Sequence, residues 1–350
     1  MTPGLAVFRC DASPATGIGH AMRCLVLAEA LAARGWRVLF ACRPPTRDAV
    51  ARLDAVEVFD LPPGISPTSE PDLLGERVGR ARLLVVDHYG WDAGLEERCR
   101  DWAERILVVD DPADRTHDAD WLVNPNLGCG AEAYRGRVPA SCRLLLGPAY
   151  AFLHPAFRAA RQRSRLRPEV RRLLVAMGGT DPTDATGVAL SALAELGYDG
   201  TVDVVLGPSA PHLERIRAFV ARQPNFRLRV GLEPAAMARL LAGCDLALAA
   251  GGSSSWERCC VGLPSIVSPI ADNQDMAARG LAERGVALVI GNLAREQGRS
   301  ELRAALRRLL ADAKLRAQFR ERGRRLVDGT GAERVSELIE GGEPASHAFG

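Results

Sequence analysis

The sequence lacks several features that would place it in a functional class at once. None of its apolar runs approaches the roughly 18 residues that a membrane-spanning helix needs, so no membrane span is expected. The formal net charge is only +2, which gives no general attraction to nucleic acids or anionic membranes. The first residues, MTPGLAVFRC, have neither the charged start nor the apolar length of a signal peptide. These absences favour a cytoplasmic protein.

The nine cysteines form no C-x-x-C pair, and their number is odd. They stand at positions 10, 24, 42, 99, 129, 142, 244, 259 and 260. This distribution is typical of a reduced intracellular protein, and not of a disulfide framework or a zinc ribbon. A metal site would have to draw on Asp87, His88, Asp110, Asp111 and His117, but no strong motif such as H-E-x-x-H occurs. We therefore expect neither a metal nor a cofactor.

Short apolar runs alternate with helical patterns along the whole chain. Examples are LLVVD (83–87), ILVVD (106–110), RLLVAMGG (172–179) and DLALAAGG (245–252). Runs that are apolar at both odd and even positions are typical of strands buried on both faces, as in parallel sheets covered by helices. Because 350 residues suffice for two such domains, the sequence predicts an α/β fold with two Rossmann-like domains.

The expected division of the chain follows the composition. We place an N-terminal domain at 1–157, a C-terminal domain at 168–341 and a frayed tail at 342–350. The segment between the domains, 158–167, holds five arginines and little strand signal. It is interpreted as a solvated helix and linker, with an anion-binding arm as the alternative.

The first strand exit carries a candidate catalytic base. Residues 8–31 read FRCDASPATGIGHAMRCLVLAEAL, a strand, a glycine-containing loop and a helix that begins near His20. Gly17 and Gly19 would let the backbone approach a ligand closely. A histidine at the positive end of a helix favours neutral imidazole, which can act as a base, although a capping or packing role is the alternative. Asp11, on the same loop, is either a partner of His20, a ligand contact or a turn residue.

Other strand exits offer polar groups at the edge where α/β sheets bind ligands. Tyr89 follows one strand, and Gly179 and Thr180 follow another. The strongest signal is the strand that exits into Gly252, Ser253 and Ser254 and then into a helix that carries Glu257. Free amides and hydroxyls in this loop suit a diphosphate, and a carboxylate one turn later suits ribose hydroxyls. The alternative for Glu257 is an exposed helix residue.

These residues resemble a known pattern. The segment GLEPAAMARLLAGCDLALAAGGSSSWERCCVGLPSIVSPIADNQ (231–274) is similar to the UDP-binding half of GT-B glycosyltransferases, above all the peptidoglycan N-acetylglucosaminyltransferase type. The loop of His20, DHYGWD (87–92) and MGGTDPTDAT (177–186) resemble the UDP-2,4-diacetamido-2,4,6-trideoxy-β-L-altropyranose hydrolases of pseudaminic acid biosynthesis. This similarity runs in order over about residues 5–285.

The resemblance implies a GT-B fold, in which two parallel sheets face each other across a cleft, and an inverting hydrolysis that releases UDP. By motif match His20 would be the general base and Tyr89 would border the reacting centre. The substrate contacts implied on the same ground are Leu232 (uracil), Gly252, Ser253 and Ser254 (diphosphate), Glu257 (ribose), and Asn273 and Gln274. Gly17, Gly19, Gly179 and Thr180 are expected as further contacts because their backbone is accessible at strand exits. Trp256, Cys259 and Cys260 depart from the pattern, since small residues are expected there.

The chemistry accounts for a single base. Glycosidases need two carboxyl groups because an alcohol leaves poorly without a proton, whereas UDP needs only charge stabilisation. Fixed amide dipoles at helix starts near residues 180–184 and 252–256 could supply that stabilisation. The expected partner is thus a small UDP-sugar. Three alternatives stay open: a GT-B glycosyltransferase, a UDP-sugar epimerase and a non-catalytic nucleotide-sugar-binding protein.

Overall fold

The computed structural model describes residues 3–13 and 17–341, apart from the side chain of Asn273. The tail predicted for 342–350 lies outside these residues. The chain divides into two compact units: one contains the chain to Leu153 and again from Thr330, and the other is His154–Gly329.

The first unit is built on a seven-stranded sheet whose strand pairs are all parallel, in the order β3-β2-β1-β4-β5-β6-β7. The strands are β1 (Leu5–Cys10), β2 (Arg37–Cys42), β3 (Glu57–Asp60), β4 (Leu83–Asp87), β5 (Ile106–Val109), β6 (Trp121–Asn124) and β7 (Arg143–Leu146). The helices that alternate with them are α1 (Gly19–Ala32), α2 (Pro44–Ala49), α3 (Glu70–Val78) and α4 (Ala93–Arg98). Because β1 lies between β2 and β4, the strand order reverses there, and the loops after β1 and β4 lie beside the ligand crevice of such a sheet.

The second unit repeats this plan with a parallel six-stranded sheet in the order β10-β9-β8-β11-β12-β13. Its strands are β8 (Arg172–Ala176), β9 (Thr201–Leu206), β10 (Phe226–Val230), β11 (Leu246–Ala250), β12 (Ser265–Ser268) and β13 (Leu288–Val289). Its helices are α5 (Pro155–Arg163), α6 (Ala185–Glu195), α7 (Leu213–Val220), α8 (Pro234–Gly243), α9 (Ser254–Val261), α10 (Asp275–Glu283), α11 (Glu296–Ala311) and α12 (Ala313–Leu326). The reversal falls between β8 and β11, so the loops that leave these two strands are the ones placed for a ligand.

Alternate residues of each strand point to opposite faces of the sheet, and both faces are packed. In the first unit Phe8 and Val85 belong to one buried cluster, whereas Val7 and Leu84 belong to another on the opposite side. All four side chains are fully buried. Apolar residues at both parities were the basis for predicting parallel sheets, and the strands confirm that reasoning.

The division of the chain differs from the expected one at both ends of the second unit. The last described helix, α13 (Gly331–Ile339), belongs to the first unit, where Val335 and Leu338 pack in the cluster that contains α1. The segment 158–167 is largely the end of α5, inside the second unit, where Arg161 donates to backbone carbonyls. Arg165 and Arg167 also donate to backbone carbonyls, which composition alone does not reveal.

Candidate active site

His20 is the second residue of α1 and lies against the end of β4. Its Nδ1 is 2.5 Å from Oδ1 of Asp87, and the imidazole is 12% exposed. At this distance from an ionised carboxylate Nδ1 must carry the proton and donate it to Asp87. In the neutral imidazole the other ring nitrogen, Nε2, keeps its lone pair and can accept a proton.

Arg23, one turn further along α1, holds Asp87 in its ionised state. Its Nε donates to Oδ2 of Asp87 at 2.6 Å and its Nη2 donates to Oδ1 at 2.7 Å, a two-pronged ion pair. Burial by itself raises the pKa of Asp87, but the charge of Arg23 and the hydrogen bonds from Arg23 and His20 hold it far below its usual range. Asp87 therefore stays an acceptor for the His20 N–H at any physiological pH.

The same guanidinium reaches a second carboxylate. Arg23 Nη1 and Nη2 donate to Asp111 at 3.0 and 2.8 Å, and Asn126 Nδ2 donates to Asp111 Oδ1 at 3.0 Å. The Tyr89 hydroxyl lies 3.4 Å from Asp111 Oδ2, and its ring meets the His20 ring edge-on with centroids 4.7 Å apart. The imidazole is thus positioned by Asp87 on one edge and by the Tyr89 ring on its side.

Hydrogen bonds from Arg115 fix the backbone of the loop that carries Tyr89. Its Nη1 donates to the carbonyls of His88 and Trp91, each at 3.0 Å, and also to that of Tyr89. Its Nη2 donates to buried Asp110 at 3.1 Å. Asp110 therefore supports the site from within the fold and has no contact with His20 among the described hydrogen bonds.

Asp11 does not take the role that the sequence allowed for it as a partner of His20. Its carboxylate lies 2.9 Å from Arg9 and 3.2 Å from His88 Nε2, and it accepts from the backbone N–H of Arg43 at 2.7 Å. Burial raises the pKa of Asp11, but the hydrogen bond from His88 and the charge of Arg9 lower it overall. The partner of His20 is Asp87 because parallel pairing of β1 with β4 puts Cys10 beside Asp87.

The glycines of the first loop have separable roles. Gly17 has φ +79°, a backbone conformation that favours glycine, and its N–H donates to Ser13 O at 2.7 Å. Gly19 is exposed and begins α1. The residues between Ser13 and Gly17 lie outside the described part of the chain.

In the second unit Gln274 joins two strand exits. Its Oε1 accepts from the N–H of Gly251 and from the N–H of Ile270, both at 3.1 Å. The loops after β11 and β12 are thereby fixed to each other, and the Nε2 of Gln274 is left as a donor beside Gly252. The side chain of the neighbouring candidate, Asn273, lies outside the described residues.

The glycine–serine loop leads into α9. Gly252 is half-buried, Ser253 is exposed, and Ser254 is the first residue of the helix. Glu257 follows one turn later, half-buried, and within the described residues its carboxylate has no hydrogen bond or ion pair. Burial raises the pKa of Glu257 to about 7 although the charge of Arg258 lowers it. A half-buried carboxylate without a donor is suited to accept hydrogen bonds from a ligand.

The other helix start does not offer the free amides that the sequence suggested. The helix after β8 begins at Ala185, and the carboxylate of Asp181 accepts from the N–H groups of Ala185 and Thr186 at 2.9 and 2.8 Å. This capping by Asp181 occupies the positive end of α6, so the predicted charge stabilisation by a helix start near 180–184 is wrong. Gly179 is exposed, and its carbonyl accepts from Gly207 at 2.8 Å.

Two further candidates occupy strand exits in the second unit. Thr180 is half-buried in the loop after β8. Leu232 is half-buried between β10 and α8, directly after Gly231 with φ +62°. Both therefore lie at the carboxyl edge of the sheet, on loops that carry ligands in folds of this type.

Relatives of this chain include proteins of polysaccharide and nucleotide-sugar metabolism. The chain is 33% identical over 264 residues to the spore coat polysaccharide biosynthesis protein SpsG of Bacillus subtilis strain 168. The aligned region covers 74% of this chain and 76% of that protein. The chain belongs to the SpsG family. It is also 28% identical over 229 residues to the UDP-2,4-diacetamido-2,4,6-trideoxy-β-L-altropyranose hydrolase of Campylobacter jejuni, over 65% of this chain and 78% of that enzyme. No protein-family model matches the chain.

The fold of this SpsG-family chain is found among solved glycosyltransferases. MurG of Acinetobacter baumannii superposes with a TM-score of 0.67 at 13% identity, over 97% of this chain and 99% of that chain. At this identity the similarity concerns the fold alone. The prediction of a two-domain α/β fold of the GT-B class is confirmed, and so is the resemblance to the UDP-sugar hydrolases.

Sequence reasoning missed part of the site in this SpsG-family chain. Arg23 and Asn126 were not recognised, and Asp87 and Asp111 were considered as strand-end residues and for a metal site but not as the groups that position His20. A signal for Arg23 was present, since residues three apart on a helix share a face and Arg23 follows His20 by three. For Asp111 no such local signal exists, because 88 residues separate it from Arg23.

Within 3–13 and 17–341 no three His, Cys, Asp or Glu side chains are grouped so that they could hold a metal ion. Over the same stretch no helix has the length and apolarity to cross a membrane.

Proposed function

We propose that this chain hydrolyses a UDP-linked sugar, with His20 as the general base that activates water. The observation that carries the proposal is the 2.5 Å contact between His20 Nδ1 and ionised Asp87, which leaves Nε2 as a proton acceptor. A His oriented by a buried Asp is the arrangement that enzymes use to take a proton from a hydroxyl group or water. A pure binding module has no need of it.

The reaction proceeds as one displacement at the anomeric carbon. A water molecule gives a proton to Nε2 of His20 while its oxygen forms a bond to that carbon. The bond from the carbon to the β-phosphate oxygen breaks, and its electron pair leaves with UDP. Asp87 stabilises the imidazolium that forms, and the sugar is released with inversion. The proton then passes from Nε2 to solvent.

The second unit would bind the nucleotide. We assign the ribose hydroxyls to Glu257, whose unpartnered carboxylate can accept both of them. We assign the diphosphate to the loop at the start of α9, which contains Gly252, Ser253 and Ser254, and to the neighbouring Nε2 of Gln274. Leu232 is assigned to uracil on the ground of the GT-B resemblance, and Gly179 and Thr180 to the sugar–diphosphate end.

The substrate is proposed from the relatives. One of them is named for the hydrolysis of UDP-2,4-diacetamido-2,4,6-trideoxy-β-L-altropyranose, and we propose the same sugar here, hence a place in pseudaminic acid biosynthesis. The second candidate function is glycosyl transfer, because the relative that establishes the family is named for polysaccharide biosynthesis.

The test is incubation of the protein with this UDP-sugar, and separately with UDP-N-acetylglucosamine, with water as the only acceptor. NMR follows both the phosphorus and the anomeric proton signals. The proposal predicts free UDP and free sugar from the diacetamido substrate. UDP release that requires an added acceptor would identify a transferase. An altered sugar that is still joined to UDP would identify an epimerase. A substrate that is recovered intact would indicate a non-catalytic binding protein.

A further inference from the structure

Arg258 is a buried cation that forms no ion pair with a carboxylate of the described residues. It is the fifth of the eight residues of α9 and is only 3% exposed. Its Nε has no hydrogen-bond partner, and burial lowers the pKa of Arg258 to about 10 although the charge of neighbouring Glu257 raises it. A charge removed from water without an ion-pair partner is strongly unfavourable, so a fold that keeps one at this position calls for an explanation.

The position of Arg258 supplies the explanation. Its Nη2 donates to Ala250 O and to Ser255 Oγ, both at 2.9 Å, and its Nη1 donates to Ser254 Oγ at 3.0 Å. Ala250 ends β11, and Ser254 and Ser255 begin α9, so these oxygens flank the loop assigned above to the diphosphate. The guanidinium therefore joins the two ends of that loop, and its charge adds to the positive end of the helix.

We propose that Arg258 is the buried positive charge that this site uses to bind the nucleotide diphosphate. It acts in two ways. Its field attracts the phosphates from a buried position, where a charge acts more strongly than in solvent. It also donates to Ser254 Oγ, which leaves the hydroxyl hydrogen of Ser254 to point at a phosphate oxygen. This inference rests on the proposed function.

The same charge would favour bond cleavage. The diphosphate gains negative charge when the bond to the sugar breaks, so a fixed cation beside it stabilises the transition state more than the bound substrate. Arg258 thus does for the leaving group what a proton donor does in glycosidases. It is a positioning and charge-supplying residue, since the loop lies between it and the ligand.

The alternative role for Arg258 is purely structural, because its three hydrogen bonds also fix the loop. Charge and shape can be separated by two substitutions. Arg258→Met keeps an unbranched side chain of similar reach but removes the charge, whereas Arg258→Lys keeps the charge and loses the planar fork. Arg222→Met, at an exposed arginine of the same unit, is the matched control for the loss of one charge.

The experiment is calorimetric titration of each full-length variant with UDP and with uridine. We expect Arg258→Met to weaken UDP binding by about tenfold or more, the effect of deleting a buried charge partner. Uridine binding should weaken clearly less than UDP binding, since uridine carries no phosphate and loses only the effect of the Arg258 charge on the ionisation of Glu257. Arg258→Lys should retain most of the UDP affinity, and Arg222→Met all of it.

Three results would overturn the inference. UDP affinity that is unchanged in Arg258→Met would show that the charge is not used. Equal losses in the Met and Lys variants, or an equal loss for uridine and UDP, would show that only loop structure matters. Failure of the wild-type protein to bind UDP is a separate outcome, because it would refute the proposed nucleotide site and with it this role of Arg258.

Discussion

Replacing Asp87 by asparagine keeps the size of the side chain and removes its charge. In the wild-type site both carboxylate oxygens of Asp87 accept from Arg23, at 2.6 and 2.7 Å, and Oδ1 also accepts from His20 Nδ1 at 2.5 Å. Whichever of the two oxygens the amide NH₂ of asparagine replaces, that NH₂ group faces an N–H of Arg23. If the NH₂ group replaces Oδ1, it also donates to Nδ1 of His20 and forces the ring proton onto Nε2.

Two effects set the size of the loss. The imidazolium loses a charge-assisted hydrogen bond worth about 1.5–3 kcal/mol, which corresponds to about 10–150-fold in rate. Molecules in which Nε2 carries the proton cannot accept one from water, and in enzymes with a buried Asp–His pair the combined loss reaches about 10⁴-fold. We therefore expect kcat to fall by at least about 10²-fold, with KM little changed because Asp87 is too buried to bind substrate.

The assay is UDP release from the diacetamido UDP-sugar, followed at saturating substrate, with ¹⁵N NMR of the His20 ring to identify the protonated nitrogen. Asp92→Asn is the matched control, since Asp92 is exposed and accepts only from the backbone N–H groups of Gly94 and Leu95. An Asp87→Asn enzyme with a kcat within threefold of wild type would refute the assigned role of Asp87.

Two further predictions follow from the pKa shifts. Because the pKa of Glu257 is raised to about 7, nucleotide affinity should rise as the pH rises through that value. Glu257→Gln should abolish this rise and also the preference for uridine over 2′,3′-dideoxyuridine. Titration calorimetry at pH 6 and pH 8 measures both effects. Burial lowers the pKa of His117, but its hydrogen bond to Glu96 at 2.8 Å and the attraction of Asp110, 3.8 Å from Nε2, raise it to about 9. Its contribution to the free energy of unfolding, about 3 kcal/mol at most, should be present below pH 6.5 and be lost as the pH rises through about 9. Urea unfolding should show this loss in the wild type and not in His117→Gln.

The sheets were predictable because their strands are short and buried on both faces. LLVVD (83–87) and LALAA (246–250) leave no polar face, and only a parallel sheet between helix layers covers such strands. The helix start near His20 was also predictable from neighbouring residues, since a glycine-containing loop precedes a helix rich in Ala and Leu. In these places the chemistry of neighbouring residues decides the structure.

The partner of His20 could not be predicted in this way. Asp87 meets His20 only because β4 pairs with β1, and strand order is a property of the whole sheet. The capping role of Asp181 could not be predicted either. A segment such as GGTDPTD (178–184) is typical both of a phosphate-binding loop with free amides and of a helix start capped by an aspartate. The helix Gly331–Ile339 has an apolar face that fits either sheet, and its sequence does not say which one it covers.

The central claim is that the imidazole of His20 accepts the proton of the attacking water. The most direct measurement compares wild type and His20→Ala for UDP binding and for UDP release in water. We expect unchanged UDP affinity and a turnover reduced by about 10²–10⁴-fold, the usual contribution of a positioned base. A His20→Ala enzyme that binds UDP and still turns over at near the wild-type rate would contradict it.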